Sequence, residues 1–516
     1  MLGRSSLWVA LLSVMMLASS CAWIARASVD SNGVQANGRS YLRHHSRSTP
    51  GFNLSTDAGY IAFVSTASNL VVGDTNGVPD VFVRNNVTGG IERADTEPTA
   101  YGVVDAVLSD DGRHLAYTTV DHGVDSAGQP TTCPGPNIFV WACEFTLYYR
   151  NLDGPTEVFV SAATGRSPGI LAIEVGGISA DGRYIAFSDS SGGFVHDTIT
   201  ATTTEVPTDF SIGELTMSTD GRYVAYEAFA PGQGNPQGIF VHDTATGTTT
   251  QVTSEATSGG PSISADGRFV AFSSHASNLV PGDTNGWEDV FVHDTTTGTT
   301  TLVSVGNNGQ QGNFNSDLPS ISADGTRVAF RSGANNWVLS GLPWLSQRIW
   351  VRDIAAGTTV LISADSVGNP GNGNNNDEPS ISADGRYVAF STDATNLVSG
   401  DTNGVADIIV RAVDTPSIDT VTPDTLDPGT TSSVTVTGSG FGPGTSVATF
   451  VTSPNGVTVD TIDIVSDTQL DLTVTVEPGA APGPRSLYLQ VPGPGPGEGD
   501  MTASLANCAD CLTISP

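Results

Sequence analysis

Three times the chain writes Gly-Asp-Thr-Asn-Gly-x-x-Asp, at residues 73–80, 282–289 and 400–407. The ligand-type side chains are Asp74, Asn76 and Asp80, then Asp283, Asn285 and Asp289, then Asp401, Asn403 and Asp407. Alternating carboxylate and amide oxygens that run into a glycine turn suit a hard cation such as calcium, which is wrapped by oxygen ligands. A complete loop of that kind needs further ligands and a bidentate glutamate at its end, which the octapeptide does not supply. The competing reading is an Asn-Gly turn whose flanking aspartates bond to backbone amides. Calcium is the one cofactor the residues suggest, and an ordinary turn is the alternative.

Other residue pairs invite chemistry and then lose the claim by repetition. His196-Asp197, His242-Asp243 and His293-Asp294 could each be a dyad, but they share one repeat position, where other units carry Arg84-Asn85, Arg150-Asn151 and Arg352-Asp353. That points to a turn role. Likewise the aspartates of the Ser-x-Asp motifs (Asp57, Asp111, Asp181, Asp220, Asp266, Asp324 and Asp384) recur too often to be catalytic. No HExxH, G-x-S-x-G or phosphate-binding glycine loop occurs, so no catalytic residue is assigned and the chain is expected not to be an enzyme. Trp337, Trp344 and Trp350 cluster in NNWVLSGLPWLSQRIWV. Trp350 is expected in the core, while the other two could stack on sugar rings or fill a satellite core beneath a loop.

Composition bounds the compartment and the partners. Net charge is −33, and all 20 basic residues are arginine. Such a surface repels phosphate backbones and anionic lipid, which argues against nucleic acid; it suits cations or basic partners, or simply solubility. Leu7–Ala18 is an apolar run behind Arg4, too short to span a bilayer, and small residues follow it. Residues 1–22 are expected to be a signal peptide cut after Ala22, with lipidation at Cys21 as a second option. The mature chain is then secreted, periplasmic or at the cell surface, with no transmembrane segment, and is expected to be a monomer. Its four cysteines would form two local disulfides, Cys133 with Cys143 and Cys508 with Cys511, the latter spacing also being that of a redox or zinc element.

What positions these residues is a repeat. Seven segments (STDAGYIAF, SDDGRHLAY, SADGRYIAF, STDGRYVAY, SADGRFVAF, SADGTRVAF and SADGRYVAF) each place Ala five residues after Asp and an aromatic residue next. Each unit parses into four short strands: PSIS, a tight Asp-Gly turn, RFVAFS, a long loop, DVFVHDT, a TTTG turn and TTLVSV. Four-stranded units repeated around an axis describe a β-propeller. The SADGRYVAF and DVFVHDTTTG pattern resembles the TolB-like propeller repeat of bacterial exported proteins, over roughly residues 23–413. TolB also carries an N-terminal α/β domain without counterpart here, so the resemblance does not imply TolB's envelope role. The last unit stops after ADIIVRAV (406–413), so Trp23–Val29 is expected to return as its fourth strand and remove an open sheet edge.

Composition shifts after Asp414. PSIDTVTPDTLDPGTTSSVTVTGSGFGPGTSVATFV and SDTQLDLTV resemble the IPT/TIG domain, which implies an immunoglobulin-like β-sandwich over residues 415–516 that spaces or docks other domains. The expectation is therefore all-β: a seven-bladed propeller over residues 23–414, then the sandwich. Its function would be non-catalytic binding or scaffolding, with variable loops on one propeller face meeting a protein or polysaccharide. A polysaccharide-active enzyme with a channel active site and a calcium-dependent surface adhesin are the alternatives.

Overall fold

The computed structural model describes residues 24–42, 53–95, 102–124, 130–131, 143–154, 157–160, 173–189, 191–230, 236–255, 257, 260–337, 347–366, 368–375, 378–414, 417–441, 447–451, 456–466, 468–491 and 504–516. The signal-peptide segment, Cys133 and Trp344 lie outside them, and of Cys143 only the backbone is placed. Every regular element among the described residues is a strand.

Seven antiparallel sheets follow one another, each built around one repeat unit. The fifth shows the pattern plainly: Ser262–Ile263, Phe269–Ser274, Asp289–Asp294 and Thr299–Leu302, hydrogen-bonded in chain order. The second adds a short strand, Pro130–Thr131, beside the long His114–Val124. The seventh consists of Ser380–Ile381, Tyr387–Thr392, Asp407–Ala412 and, as its outer member, Ile24–Arg26. Ile24 pairs with Arg411, and Arg26 with Ile409, in antiparallel register. The N-terminal strand thus takes the expected place, and it ends before Val29, which has left the sheet to bridge Gln35.

Apolar clusters lie between consecutive sheets. Ala271, Val290 and Val292 of the fifth sheet pack on Ile321, Val328, Phe330 and Trp350 of the sixth. The same kind of cluster joins the seventh sheet to the first, through Ala25, Ala389, Ile408 and Val410 against Ile61, Phe63 and Phe82. A sheet buried on both faces must be apolar on both, which is why YVAFS-type strands lack simple alternation. First strands, and the Asn53 segment that precedes the second strand of the first sheet, also bond directly to their neighbours. Ile321 N donates to Ser262 Oγ at 3.1 Å, Ile381 N to Ser320 Oγ at 3.2 Å, and Asn53 N to Ser380 Oγ at 3.1 Å. These bonds bring the first strands of the fifth, sixth and seventh sheets side by side.

The Ser-x-Asp-Gly turn is the joint between neighbours. Ser264 Oγ donates to Asp266 Oδ1 at 2.7 Å and accepts the Phe269 N–H at 2.9 Å, while Asp266 Oδ1 accepts the Arg268 N–H at 3.0 Å. Gly267 has φ of +72°, and a Cβ there would stand 2.3 Å from the Tyr223 ring of the preceding sheet. Glycine is required twice over, for the left-handed backbone and for the close approach. Backbone bonds tie turn to turn, as from Ala265 N to Ala323 O at 2.9 Å. The recurrent aspartates are structural.

Residues beyond 416 form two further sheets. One runs Ser417–Thr422, Thr431–Ser439, Gln469–Val476, Val457–Ser466; the other runs Thr425–Leu426, Ser504–Ile514, Gly483–Val491, Val447–Val451. Val434, Leu470 and Leu472 of the first meet Leu487, Leu489 and Leu512 of the second in one core. Phe441 is fully buried in that core, and a Cβ on Gly438 would stand 2.0 Å from the Ser417 carbonyl, so Gly438 serves close chain approach. The sulfurs of Cys508 and Cys511 are joined within the last strand.

Candidate functional site

The three Asp-Thr-Asn-Gly loops precede the third strands of the first, fifth and seventh sheets, and share one internal geometry. The asparagine amide accepts a backbone N–H two residues on: Val78 N to Asn76 Oδ1 at 3.2 Å, Trp287 N to Asn285 Oδ1 at 2.9 Å, and Val405 N to Asn403 Oδ1 at 3.2 Å. Its Nδ2 donates to the last aspartate, Asn76 to Asp80 at 2.7 Å, Asn285 to Asp289 at 2.7 Å, and Asn403 to Asp407 at 3.1 Å. In each loop asparagine therefore presents a donor, not an oxygen, to the would-be ligand aspartate.

What surrounds the carboxylates separates the three. In the seventh sheet, Arg26 lies fully buried with Nε 3.1 Å from Asp407 and an Nη 3.5 Å from Asp401. In the first, Arg93 lies 3.9 Å from both Asp74 and Asp80 and 3.6 Å from Asp95. A guanidinium thus already supplies the positive charge that a calcium ion would bring. Both arginines come from the outer strand, two residues before a group that caps the third strand: Ser28 Oγ for Ile408 N and Asp95 Oδ1 for Val81 N. In the fifth sheet the corresponding cap is Ser304, and two residues earlier stands Leu302. There Gln311 Nε2 bonds Asp283 at 3.1 Å, and Ser304 Oγ bonds Asp289 at 2.6 Å. Burial pushes Asp289 up to about 6, with Asp283 and Glu288 adding to the rise. Burial, then the Asp80 charge, pushes Asp95 up to about 8 against the pull of Arg93.

The fifth-sheet loop also carries an aromatic platform that the sequence reading passed over. Trp287 stacks on Phe314 with centroids 4.8 Å apart and remains 39% exposed. The tryptophans singled out from sequence behave differently. Trp350 is buried, and Trp337 stands edge-on to it at 5.2 Å with its indole N–H bonded to Gln310 O at 3.0 Å. Phe314 lies far from Trp287 in sequence, so only the fold reveals the pair.

The histidines do not face their neighbouring aspartates. His196, His242 and His293 each bond a threonine hydroxyl across the hairpin at 2.9 Å (Thr203, Thr249 and Thr300). Burial lowers the pKa of all three rings. The aspartates pair instead with Arg183, Arg222 and Arg268 at 2.9, 2.7 and 2.7 Å. The Arg183 bond holds Asp197 down to about 2.

A second set of acidic residues recurs near the first strands. Asp105, Glu174, Glu214, Asp317 and Glu378 stand six or seven residues before the turn aspartates Asp111, Asp181, Asp220, Asp324 and Asp384, at or just before the first strands. In the second, third, fourth and sixth sheets a register shift falls on or beside the acidic residue, between Val103 and Asp105, Val175 and Gly177, Ile212 and Leu215, and Asp317 and Ser320. Bulges re-aim side chains in this way. Asp317 is held by Arg331 at 2.7 Å. Glu214 is buried, and burial, then the charges of Glu227, Glu174 and Glu378, push its pKa well above the usual carboxylate range. The signal was present in the sequence, as a repeat position acidic in five units, but it was not read. Among the described residues no three His, Cys, Asp or Glu side chains are grouped closely enough to hold a metal ion.

No family model matches the chain, and no curated protein matches it. Among solved structures, it is similar to an oligogalacturonate lyase in complex with manganese, at 12% identity and a TM-score of 0.47, covering 77% of this chain and 94% of that one. It is also similar to a putative TolB from Agrobacterium tumefaciens (18% identity, TM-score 0.35, 63% of this chain and 94% of that one). A third is the propeller domain of the Trilobed protease from Pyrococcus furiosus, at 14% identity and a TM-score of 0.39, covering 65% of this chain and 88% of that one.

Proposed function

We propose that the protein is an exported, monomeric, non-catalytic binding or scaffold protein, built as a closed seven-bladed TolB-like propeller followed by an immunoglobulin-like sandwich. Closure is supported by the apolar cluster between the seventh and first sheets and by the N-terminal strand in the seventh. The sandwich reading is supported by strand order: lettered along the chain, the two sheets run A-B-E-D and A′-G-F-C, the immunoglobulin pairing. The IPT/TIG label rests on the sequence resemblance.

The observation that carries the binding role is Trp287 stacked on Phe314 at the mouth of the fifth-sheet loop. A large aromatic surface left in water beside carboxylates suits a sugar ring or an aromatic protein side chain. If calcium serves the protein at one of its three repeated loops, it does so here, where Asp283 and Asp289 have no arginine beside them among the described residues. The histidines and turn aspartates are engaged in hairpin and inter-sheet bonds, which supports a role without catalysis. The acidic residues near the first strands favour a second reading, a polysaccharide-active enzyme in which Glu214 is a proton donor.

Affinity electrophoresis through gels cast with a panel of soluble polysaccharides tests this directly. Retardation of the wild type that Trp287→Ala abolishes, with no new reducing or unsaturated ends in the gel, is the expected result. Chain cleavage that Glu214→Gln abolishes would replace the scaffold reading by the enzymatic one. Retardation by none of the polysaccharides would rule out the sugar ligand and leave a protein ligand for the face.

A further inference from the structure

Three junctions between sheets are fastened by the same clasp, and one of them is rebuilt around an aromatic ring. The loop leaving the outer strand places an asparagine, Asn37, Asn313 or Asn372, whose backbone N–H meets Oδ1 of Asn69, Asn336 or Asn396 in the next sheet, at 2.8, 3.2 and 2.8 Å. The residue after that asparagine is Gly38 in one junction and Gly373 in another. A Cβ there would stand 2.6 Å from the Thr66 backbone or 2.4 Å from that of Ala394, so both positions demand glycine. Between the fifth and sixth sheets the same position is Phe314. Its ring fits because the residue facing it is Gly333, where the other junctions carry Thr66 and Asp393. A Cβ on Gly333 would stand 2.4 Å from the Phe314 ring.

Further exchanges accompany that one. Trp337 stands where the other junctions have Leu70 and Leu397, and Trp287 where the other Asp-Thr-Asn-Gly loops have Val78 and Val405. The segments bearing these rings are tied together: Asn313 Nδ2 donates to Asn335 Oδ1 at 2.7 Å, Gln311 Nε2 to Asp283 Oδ1 at 3.1 Å, and Asn285 Nδ2 to Gly312 O at 3.1 Å. The clasp closes twice with glycine, so the ring at 314 serves something beyond the fold, and what it backs is the exposed Trp287. A rigid aromatic face of this kind loses little freedom on binding. Charge decides what the face can take. Segments 282–289, 306–316 and 332–337 contain no arginine or histidine, and the first holds Asp283, Glu288 and Asp289. Arg331, just before the third, is engaged by Asp317 at 2.7 Å, and His275 lies 3.8 Å from Glu288. An anionic sugar would meet these acids in a chain of net charge −33. The polar side chains of the second and third segments are all amides and hydroxyls, which donate to and accept from sugar hydroxyls without charge. A pyranose with equatorial hydroxyls matches both features, with a flat C–H face for the indole and hydroxyls at its edge for the amides.

We propose that the Trp287–Phe314 platform is a subsite for one pyranose ring of an uncharged, β-linked polysaccharide, a glucan or xylan, and that it excludes polyuronates. The inference rests on the binding role given to this platform above and names its ligand class. Association depends on stacking and on hydrogen bonds to hydroxyls, so it is nearly insensitive to salt.

Calorimetric titration of the full mature chain with cellohexaose, xylohexaose and hexagalacturonate, at low and at near-physiological salt, tests the assignment. The expected result is saturable binding of a neutral hexaose, alike at both salts, weakened about 10- to 100-fold by Trp287→Ala and retained by Trp287→Tyr. The double variant Phe314→Gly with Gly333→Thr, which restores the pairing of the seventh-to-first junction, should weaken it likewise and keep a cooperative melt. Ile199→Ala, an exposed apolar side chain on a hairpin turn, should leave it unchanged. Hexagalacturonate binding that Trp287→Ala abolishes would overturn the uncharged ligand and keep the platform as the binding face. Binding of no hexaose by a folded chain would overturn the inference and leave the protein ligand of the broader reading. Hexaose binding equal in wild type and Trp287→Ala would overturn both.

Discussion

Replacing Arg26 by alanine should destabilise the seven-sheet unit more than any surface charge change. The guanidinium is fully buried between two carboxylates that are themselves almost inaccessible. Burial already raises the Asp407 pKa, and Arg26 is the leading influence that lowers it. Without Arg26, two buried acids face each other in place of an ion-paired triad, and removing one partner of a buried pair costs about 3–5 kcal/mol. Treating residues 24–414 as one cooperative unit of about 390 residues, at roughly 2.1 cal/mol/K per residue, gives an unfolding entropy of about 0.8 kcal/mol/K. The melting temperature should therefore fall by about 4–6 °C. Arg113→Ala is the control: Arg113 meets Asp153 at 2.6 Å, but both are about three-fifths exposed, and exposed pairs contribute about 0–1 kcal/mol, below about 1 °C here. Scanning calorimetry of the mature chain reads both. The variant carries a second arm, because Asp401, Asn403 and Asp407 would now stand without their cation. Millimolar calcium should recover more stability in Arg26→Ala than it adds to the wild type. A variant that melts with Arg113→Ala, or that calcium stabilises no more than it stabilises the wild type, would refute the view that arginine occupies the cation's place.

Three further outcomes follow from the same structure. Burial raises Asp110 from 3.8 to about 6, with Asp111 adding to it and the Thr219 hydroxyl opposing. Its contribution to stability is therefore present below about pH 4 and lost as pH climbs towards 6. Asp110→Asn should match the wild type at pH 4 and exceed it at pH 7 by roughly 3 kcal/mol, at about 1.4 kcal/mol per unit, in urea denaturation. Ser264→Ala leaves the half-buried Phe269 N–H without its acceptor and should cost about 1–3 kcal/mol by the same measurement. Gly267→Ala meets both a left-handed backbone and the Tyr223 ring, and should cost about 2–4 kcal/mol, more than alanine at the open turn glycine Gly298.

How much of this was legible in the chain depends on whether a feature repeats locally or is assembled at a distance. The Asp-Gly turns, the small alanine of the second strand and the fourth-strand role of the N-terminus all recur at fixed offsets, and the fold uses them as the repeat suggests. The Asp-Thr-Asn-Gly loops recur too, yet their meaning differs between sheets, because Arg26, Arg93 and Leu302 arrive from another strand. An octapeptide carries no trace of its cross-strand neighbour, so three identical loops looked like three identical sites. Trp287 shows the same limit: its exposure is decided by Phe314, and Trp337, which reads the same in sequence, is packed against Trp350. The acidic position before the turns was readable as a repeat feature, but its consequence was not. Glu214 is raised by charges from Glu227, Glu174 and Glu378, residues far apart along the chain, and no local pattern announces that influence. Function in a repeat fold therefore sits where one unit departs from its copies. Here the clearest departure is a leucine, Leu302, where two other sheets place arginine.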